Sequence, residues 1–175
     1  MHSAGIRFYD SADDLAHALL LAVPRPTAVV GVGNPLTGDD GFGPAVVAGL
    51  RPSERLRPLD VRGVPESFLG PIAASGCAAV LFVDAADLGA EPGRIALVDA
   101  ARLAEIDVST HVVSLALMAE AVRRLAKEHT PESDVRCGLL AAQPQSLTEA
   151  DRLSAPVETA VRRAVEALTT FAAAP

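Results

Sequence analysis

The sequence predicts an α/β fold: a three-layer sandwich in which a mostly parallel sheet of about five strands carries helices on both faces. Three observations lead there. Strand-like and helix-like segments alternate, the strongest strand candidates are apolar on both faces, and no linker, repeat or low-complexity tract divides the chain. The length of 175 residues fits one domain, and with 50% hydrophobic but only 3% aromatic residues the core has to be aliphatic. The expected organisation is a single domain over 1–175, with an α/β core at 27–171 and an additional N-terminal helix at 12–23.

The elements follow in order. Asp10-Ser11 offers a cap for a helix from about Ala12 to Val23, stopped by Pro24 and Pro26. "TAVVGVG" (Thr27–Gly33) reads as a buried strand. Pro44 suits the first turn of a short helix ending near Leu50. "RLRPLDVRG" is a weaker, more polar strand, and Pro58 fits it for a sheet edge. "PESFLGPIAAS" has a helical pattern that is kinked or ended near Pro71, "CAAVLFVDAA" is the strongest strand, and "GRIALVDA" follows the turn residues Pro92-Gly93. Ser109 or Thr110 then caps a long amphipathic helix to about Lys127. "DVRCGLLAA" is a last strand, and "SAPVETAVRRAVEALTTF" a final helix with Pro156 in its first turn.

Composition excludes several functions. A net charge of −7 argues against nucleic acid, whose phosphates need clustered Lys and Arg. No apolar run approaches the roughly 18 residues of a membrane span. The apolar stretch Ala16–Val23 follows Asp10, Asp13 and Asp14 rather than basic residues, unlike a signal peptide. Cys77 and Cys137 lie far apart in apolar contexts and read as buried spectator thiols. A cytoplasmic, monomeric protein without membrane or nucleic-acid partners is expected, its N-terminal helix docked on the sheet or, less favoured, used for dimerisation.

Parallel sheets bind ligands beyond the carboxyl ends of their strands, here just after Gly33, Val83 and Ala141. After Gly33 the sequence reads "GVGNPLTGDD" (Gly31–Asp40). A dinucleotide fingerprint would need a third glycine where Leu36 stands, and Asp39-Asp40 would repel a pyrophosphate. An NAD-dependent enzyme is therefore disfavoured. Asp40 after the first strong strand, Asp84 at the end of the best strand and His111 at the start of the long helix make a reasonable ligand set for Zn²⁺ or Ni²⁺. Taken singly, each has a plainer reading: Asp84 as a turn cap, Asp39 and Asp40 as helix caps, His111 as a structural hydrogen-bonder.

Four blocks carry a resemblance: "GVGNPLTGDDGFGP", "LFVDAADLGAEPGRIALVD", "STHVVSL" and "GLLAAQPQSL", within roughly Ala28–Leu168. They resemble the hydrogenase maturation proteases, which trim the C-terminal tail of nickel–iron hydrogenase large subunits. The "AEPG" and "QP" stretches are similar to the branch acting on formate-hydrogenlyase-type enzymes. The resemblance implies an endopeptidase acting on the large-subunit precursor, with Asp40, Asp84 and His111 as metal-binding and catalytic residues. The nickel would come from the substrate, and no organic cofactor is implied. A non-catalytic nickel checkpoint or metal-binding chaperone using the same residues is the alternative. Where such proteins often carry Asp-Gly-Gly, this chain has Asp60 followed by Val61-Arg62, which makes Arg62 a candidate for a substrate carboxylate.

Supporting roles fall to Gly33, Asn34, Asp39, Gly41 and Gln143, as loop or substrate contacts. Gly31 and Gly33 would let the chain turn tightly beside the sheet, and Asn34 would brace the loop. Asp39 would cap the helix or back the metal site, while Gly41 and Gly43 would let a bound tail pass closely. No G-x-S-x-G is present and neither cysteine has a histidine partner, so hydrolysis would rest on metal-activated water. Metal affinity would then follow His111, near pH 6.5, with Asp40 and Asp84 ionised throughout that range and His2, His17 and His129 uninvolved.

Overall fold

A strand buried on both faces must divide its side chains between two cores, and β4 (Ala79–Ala85) does so along its whole length. Val80 and Phe82 enter one core, Leu81, Val83 and Ala85 the other. The computed structural model describes residues 6–62, 65–100 and 110–175. Around β4 it places β1 (Phe8–Tyr9), α1 (Ala12–Ala22), β2 (Thr27–Val32), α2 (Phe42–Ala48), β3 (Leu56–Arg62), α3 (Leu69–Ala73), β5 (Ile95–Asp99), α4 (Thr110–His129), β6 (Arg136–Ala142) and α5 (Ala155–Ala173).

The sheet order is β1-β5-β6-β4-β2-β3. Strands β3, β2, β4 and β6 are parallel, whereas β5 runs antiparallel to β6 and β1 antiparallel to β5. The α/β sandwich and its mostly parallel sheet are as the sequence predicts. Six strands replace about five because the two-residue β1 is too short to show any periodicity. Arg94 secures it, lying over the Phe8 ring at 4.9 Å and facing Asp10 at 3.0 Å.

Helices α1, α2 and α5 cover one face, with Leu15, Leu19, Phe42, Val46, Ala164 and Phe171 in a shared core. Helices α3 and α4 cover the other, through Ile72, Leu115, Met118 and Val122. Pro58 pairs with Val29 in β3, which is an edge strand, where a missing N–H costs no ladder bond on the open side. Pro71 is accommodated within α3, which continues a short 3₁₀ turn (Pro65–Phe68). Helix α4 runs to His129 and α2 stops at Ala48, each within two residues of the sequence expectation. Ser109 lies outside the described residues.

Ser11 caps α1, its Oγ accepting from Asp14 N–H at 3.1 Å. That helix docks on α5 rather than standing free. At the other end of α5, Arg25 donates to the carbonyls of Phe171, Ala174 and Pro175 at 3.1, 2.7 and 2.9 Å, and Arg55 donates to Ala174 as well. These cations satisfy carbonyls that the helix leaves open and oppose the negative end of its dipole. Cys77 and Cys137 are free and buried, and burial pushes the Cys137 thiol up to about 11. Among the described residues no helix is long and apolar enough to cross a membrane.

Leu19 is fully buried between α1 and the sheet, whereas Leu21 is 75% exposed. Leu19→Ala is expected to cost about 2–5 kcal/mol, the range for truncating a core leucine. Leu21→Ala should stay within about 0.5 kcal/mol. Urea unfolding of both variants checks the pair, and equal losses would mean that α1 contributes nothing to the core.

Candidate active site

The site begins where β2 runs out. Gly33 has φ 122°, and a Cβ there would lie 1.9 Å from the Asp40 carbonyl oxygen, so only glycine lets the chain fold back at this point. Asn34 then makes an Asx turn, its Oδ1 accepting from Leu36 N–H at 3.0 Å. The Asn34 carbonyl accepts from Thr37 N–H at 3.0 Å, and a 3₁₀ turn, Gly38–Gly41, leads into α2. This path returns Asp40 to the start of its own loop, where its Oδ2 accepts from Asn34 N–H at 2.6 Å. A bond so short and charge-assisted fixes the carboxylate beside the end of β2.

Glycines let α2 press onto the sheet. A Cβ on Gly43 would stand 2.2 Å from Val83 O and 2.3 Å from Val32 O, and one on Gly31 would stand 2.6 Å from Gly43 O. Gly41 likewise has Pro35 Cα and Leu153 Cδ2 at 3.1 and 3.4 Å from where its Cβ would be. On the Cβ side of Gly41 and Gly43 the chain's own backbone and side chains fill the space, so internal packing alone already calls for glycine there. Gly31 serves the same packing rather than a turn.

Asp84 is the penultimate residue of β4 and is fully buried. Its position in the strand alternation matches Val80 and Phe82, which face the side covered by α3 and α4. Oδ1 accepts from Ala85 N–H at 2.9 Å, while Oδ2 has no hydrogen-bond partner among the described residues. Burial first, then the negative charge of Asp40, pushes Asp84 up to about 8, against the opposing effect of the Ala85 bond. Against the expectation that both carboxylates are ionised through the histidine range, burial and Asp40 favour the protonated form at Asp84.

Asp39 turns away from both. Its Oδ2 accepts from Gln145 N–H (2.8 Å), Ser146 N–H (3.0 Å) and Ser154 Oγ (2.9 Å), and its Oδ1 from Ser154 N–H (2.7 Å). Burial raises its pKa, but the bonds from Ser154, Ser146 and Gln145 outweigh that and hold the carboxyl below its ordinary value. Asp39 does not cap its own helical turn, which has no side-chain cap, but ties down the loop after β6. Gln143 is the second such tie. Its Oε1 accepts from Leu88 and Ala90 N–H at 2.7 and 3.2 Å, and its Nε2 donates to Asp87 Oδ1 at 3.2 Å and Pro144 O at 3.3 Å.

Thus Asp40 and Asp84 come together at the carboxyl ends of β2 and β4. His111 belongs to the first turn of α4, a helix about 30 Å long at 1.5 Å per residue, which returns the chain to the start of β6 at the opposite edge. Its backbone is thereby placed toward the acids, and its side chain lies outside the described residues, as does that of Arg62. Among the described residues no three His, Cys, Asp or Glu side chains form a metal-holding group. Sequence reasoning did not identify Gln145, Ser146 and Ser154 as partners of Asp39, or Asp87, Leu88 and Ala90 as partners of Gln143.

The family model for hydrogenase maturation proteases, HycI, matches residues 50–171. The chain is similar in structure to the maturation protease HycI from Thermococcus kodakarensis (27% identity, 90% of this chain and 98% of that one, TM-score 0.73). It is similar to a hydrogenase 3 maturation protease (25% identity, 80% and 86% covered, TM-score 0.64). The hydrogenase maturating endopeptidase HybD from Escherichia coli shares the fold (24% identity, 81% and 88% covered, TM-score 0.65). No curated protein matches.

Two pH dependences follow, of opposite sign. Asp84 has a folded pKa above its ordinary value of 3.8, so the folded chain binds the extra proton and stability falls as pH rises toward about 8. Asp84→Asn should remove this decline in the metal-free protein and gain about 1–3 kcal/mol on wild type at the alkaline end, the range for one unsatisfied buried group. Asp39, with its pKa depressed, contributes stability above 3.8 that is lost as pH falls through the folded value. Asp39→Asn should cost about 1–3 kcal/mol at neutral pH and progressively less in acid. Thermal melts of both variants across the pH range check the signs.

Proposed function

Because the chain belongs to the hydrogenase maturation protease family, a family of hydrolases, we propose that it removes the C-terminal tail of a nickel–iron hydrogenase large-subunit precursor after nickel insertion. In this reading the nickel is part of the substrate, and Asp40, Asp84 and His111 engage it. One observation supports the assignment above the rest: Asp84 Oδ2 is buried, unpartnered among the described residues and beside a second carboxylate. An oxygen so placed is satisfied by a proton or by a cation, and carboxylate with imidazole is a donor set suited to Ni²⁺. Nickel carried by the precursor supplies Lewis acidity near the scissile bond.

The chain's own residues have distinct tasks in that scheme. Asp40, held by Asn34 N–H at 2.6 Å, presents negative charge in a fixed direction. Burial and Asp40 favour the protonated form of Asp84, so nickel engagement would release a proton from this residue as well as from a protonated His111. Neither cysteine offers a nucleophile, since both are buried in the core on the α4 side of the sheet. The loaded precursor is the expected partner, and the protease acts in the cytoplasm without a resident organic cofactor.

The test is incubation with nickel-loaded and nickel-free precursor, read as mass lost from the precursor's C-terminus. Only the loaded form should be shortened. Asp40→Asn and His111→Ala should lower processing by at least the ~10–100-fold that loss of a ligand's supporting partner costs. His17→Ala and His129→Ala should leave it unchanged. Nickel-dependent association without shortening would instead identify a checkpoint or chaperone.

A further inference from the structure

The sheet places Asp84 but not Asp40, so it does not by itself set their separation. The β2–β4 ladder runs from Thr27↔Ala79 to Gly31↔Val83 and ends before Asp84 and well before Asp40. Asp84 is held within β4 by its pairing to Ala141 of β6, whereas Asp40 lies beyond the sheet and depends on the loop 33–41 after β2. Something else has to hold the Asp40 loop in register with the strand that carries Asp84.

We infer that Gln143–Ser146 is a strap that fixes the Asp40 loop against the β4–β6 frame carrying Asp84, with Gln143 as a positioning residue for the proposed reaction. Its root is firm. Strand β6 pairs with β4 through Asp84↔Ala141 and Ala85↔Ala142, and Ala86 N–H donates to Ala142 O at 3.0 Å. The Gln143 backbone is held on its other side, its N–H donating to Arg94 O at 2.9 Å and its carbonyl accepting from Gly93 N–H at 2.8 Å. From this anchored backbone the side chain reaches back over the loop that follows β4 and uses both ends of its amide there. Oε1 takes the N–H groups of Leu88 and Ala90, and Nε2 gives to Asp87.

Two residues on, the same segment turns to the other loop. Gln145 and Ser146 give their N–H groups to Asp39, and Asp39 returns its own N–H to Ser146 O at 3.1 Å. Asp39 precedes Asp40 directly. The connection from the 87–90 loop through 143–146 to Asp39 thus runs through defined donors and acceptors, with Gln143 and Asp39 buried at its two ends. Within such a network, loosening one member displaces the others. Because a misplacement of about 1 Å can cost on the order of 100-fold in rate, a strap of this kind acts on catalysis without touching the reacting atoms.

Gln143→Glu tests the strap with no change of shape. Glutamate keeps acceptors for Leu88 and Ala90 but replaces the amide donor with an oxygen facing the Asp87 carboxylate. The variant should fold and bind loaded precursor with unchanged KM, while kcat falls by about 10–100-fold. Adding Asp87→Asn returns a donor opposite the introduced carboxylate and should restore much of kcat. Amide hydrogen exchange in the same proteins should speed up at Leu88 and Ala90 and also, across the strap, at Ser146 and Asn34. Wild-type kcat in Gln143→Glu, no recovery in the double variant, or exchange confined to Leu88 and Ala90 would each overturn the inference. The inference rests on the proposed protease function. If wild type itself trims no precursor, that function falls, and the exchange at Ser146 and Asn34 alone decides whether the strap exists.

Discussion

A carboxyl group fully buried at the end of the central strand is the constraint around which the rest is arranged. Taking Asp84 out of water costs several kcal/mol unless something compensates its charge, and its bond from Ala85 N–H does not. Placing Asp40 nearby makes matters worse, since a second negative charge raises the energy of ionising the first. An arrangement that is unfavourable twice over has to be held by the surrounding fold. Local strain of this kind belongs to a site built for a ligand of opposite charge.

The fold supplies that support in three ways. Two-sided burial of β4 makes the strand carrying Asp84 the most rigid in the sheet, with β2 and β6 paired along it. The close approach of Gly31 and Gly43 seats α2 against the strand ends and so fixes where the Asp40 loop must pass. Gly33 and the Asn34 turn then fold that loop back onto itself, so that Asp40 is anchored by a bond to its own beginning. Remove any one and Asp40 loses part of what holds it near Asp84.

Much of this was legible in the sequence because it is local. Ser11 announced α1, Pro58 announced an edge strand, and the unbroken apolar run before Asp84 announced a central one. Asp84's place at a strand end was equally plain. Its raised pKa was not, because that depends first on burial by the assembled layers and then on Asp40 arriving from another part of the chain. Asp39 was misjudged for the same reason: its partners lie 106 to 115 residues away, where no spacing rule reaches. The direction of β5 was readable in principle. Residues 86–94 are too few for the helical crossover that a parallel connection needs, so the chain had to come back antiparallel. The two-residue β1 left no periodic trace at all.

The neighbouring acids Asp39 and Asp40 show how a turn can divide labour between two chemically identical side chains. A carboxylate has about four lone-pair sites. Asp39 uses its sites on Gln145, Ser146 and both donors of Ser154, so it is saturated, stable as an anion and closed to any cation. Asp40 accepts from Asn34 N–H, and Asp84 from Ala85 N–H, so each keeps capacity toward the described surroundings. The donor groups that saturate Asp39 come from the loop after β6, and the same loop carries the amide of Gln143 over the Asp84 side. Saturating one acid therefore both removes it from competition for a metal and fixes the backbone from which its neighbour projects. The unused oxygen capacity of the site is concentrated in Asp40 and Asp84 as a result, at the sheet edge toward which the first turn of α4 brings His111.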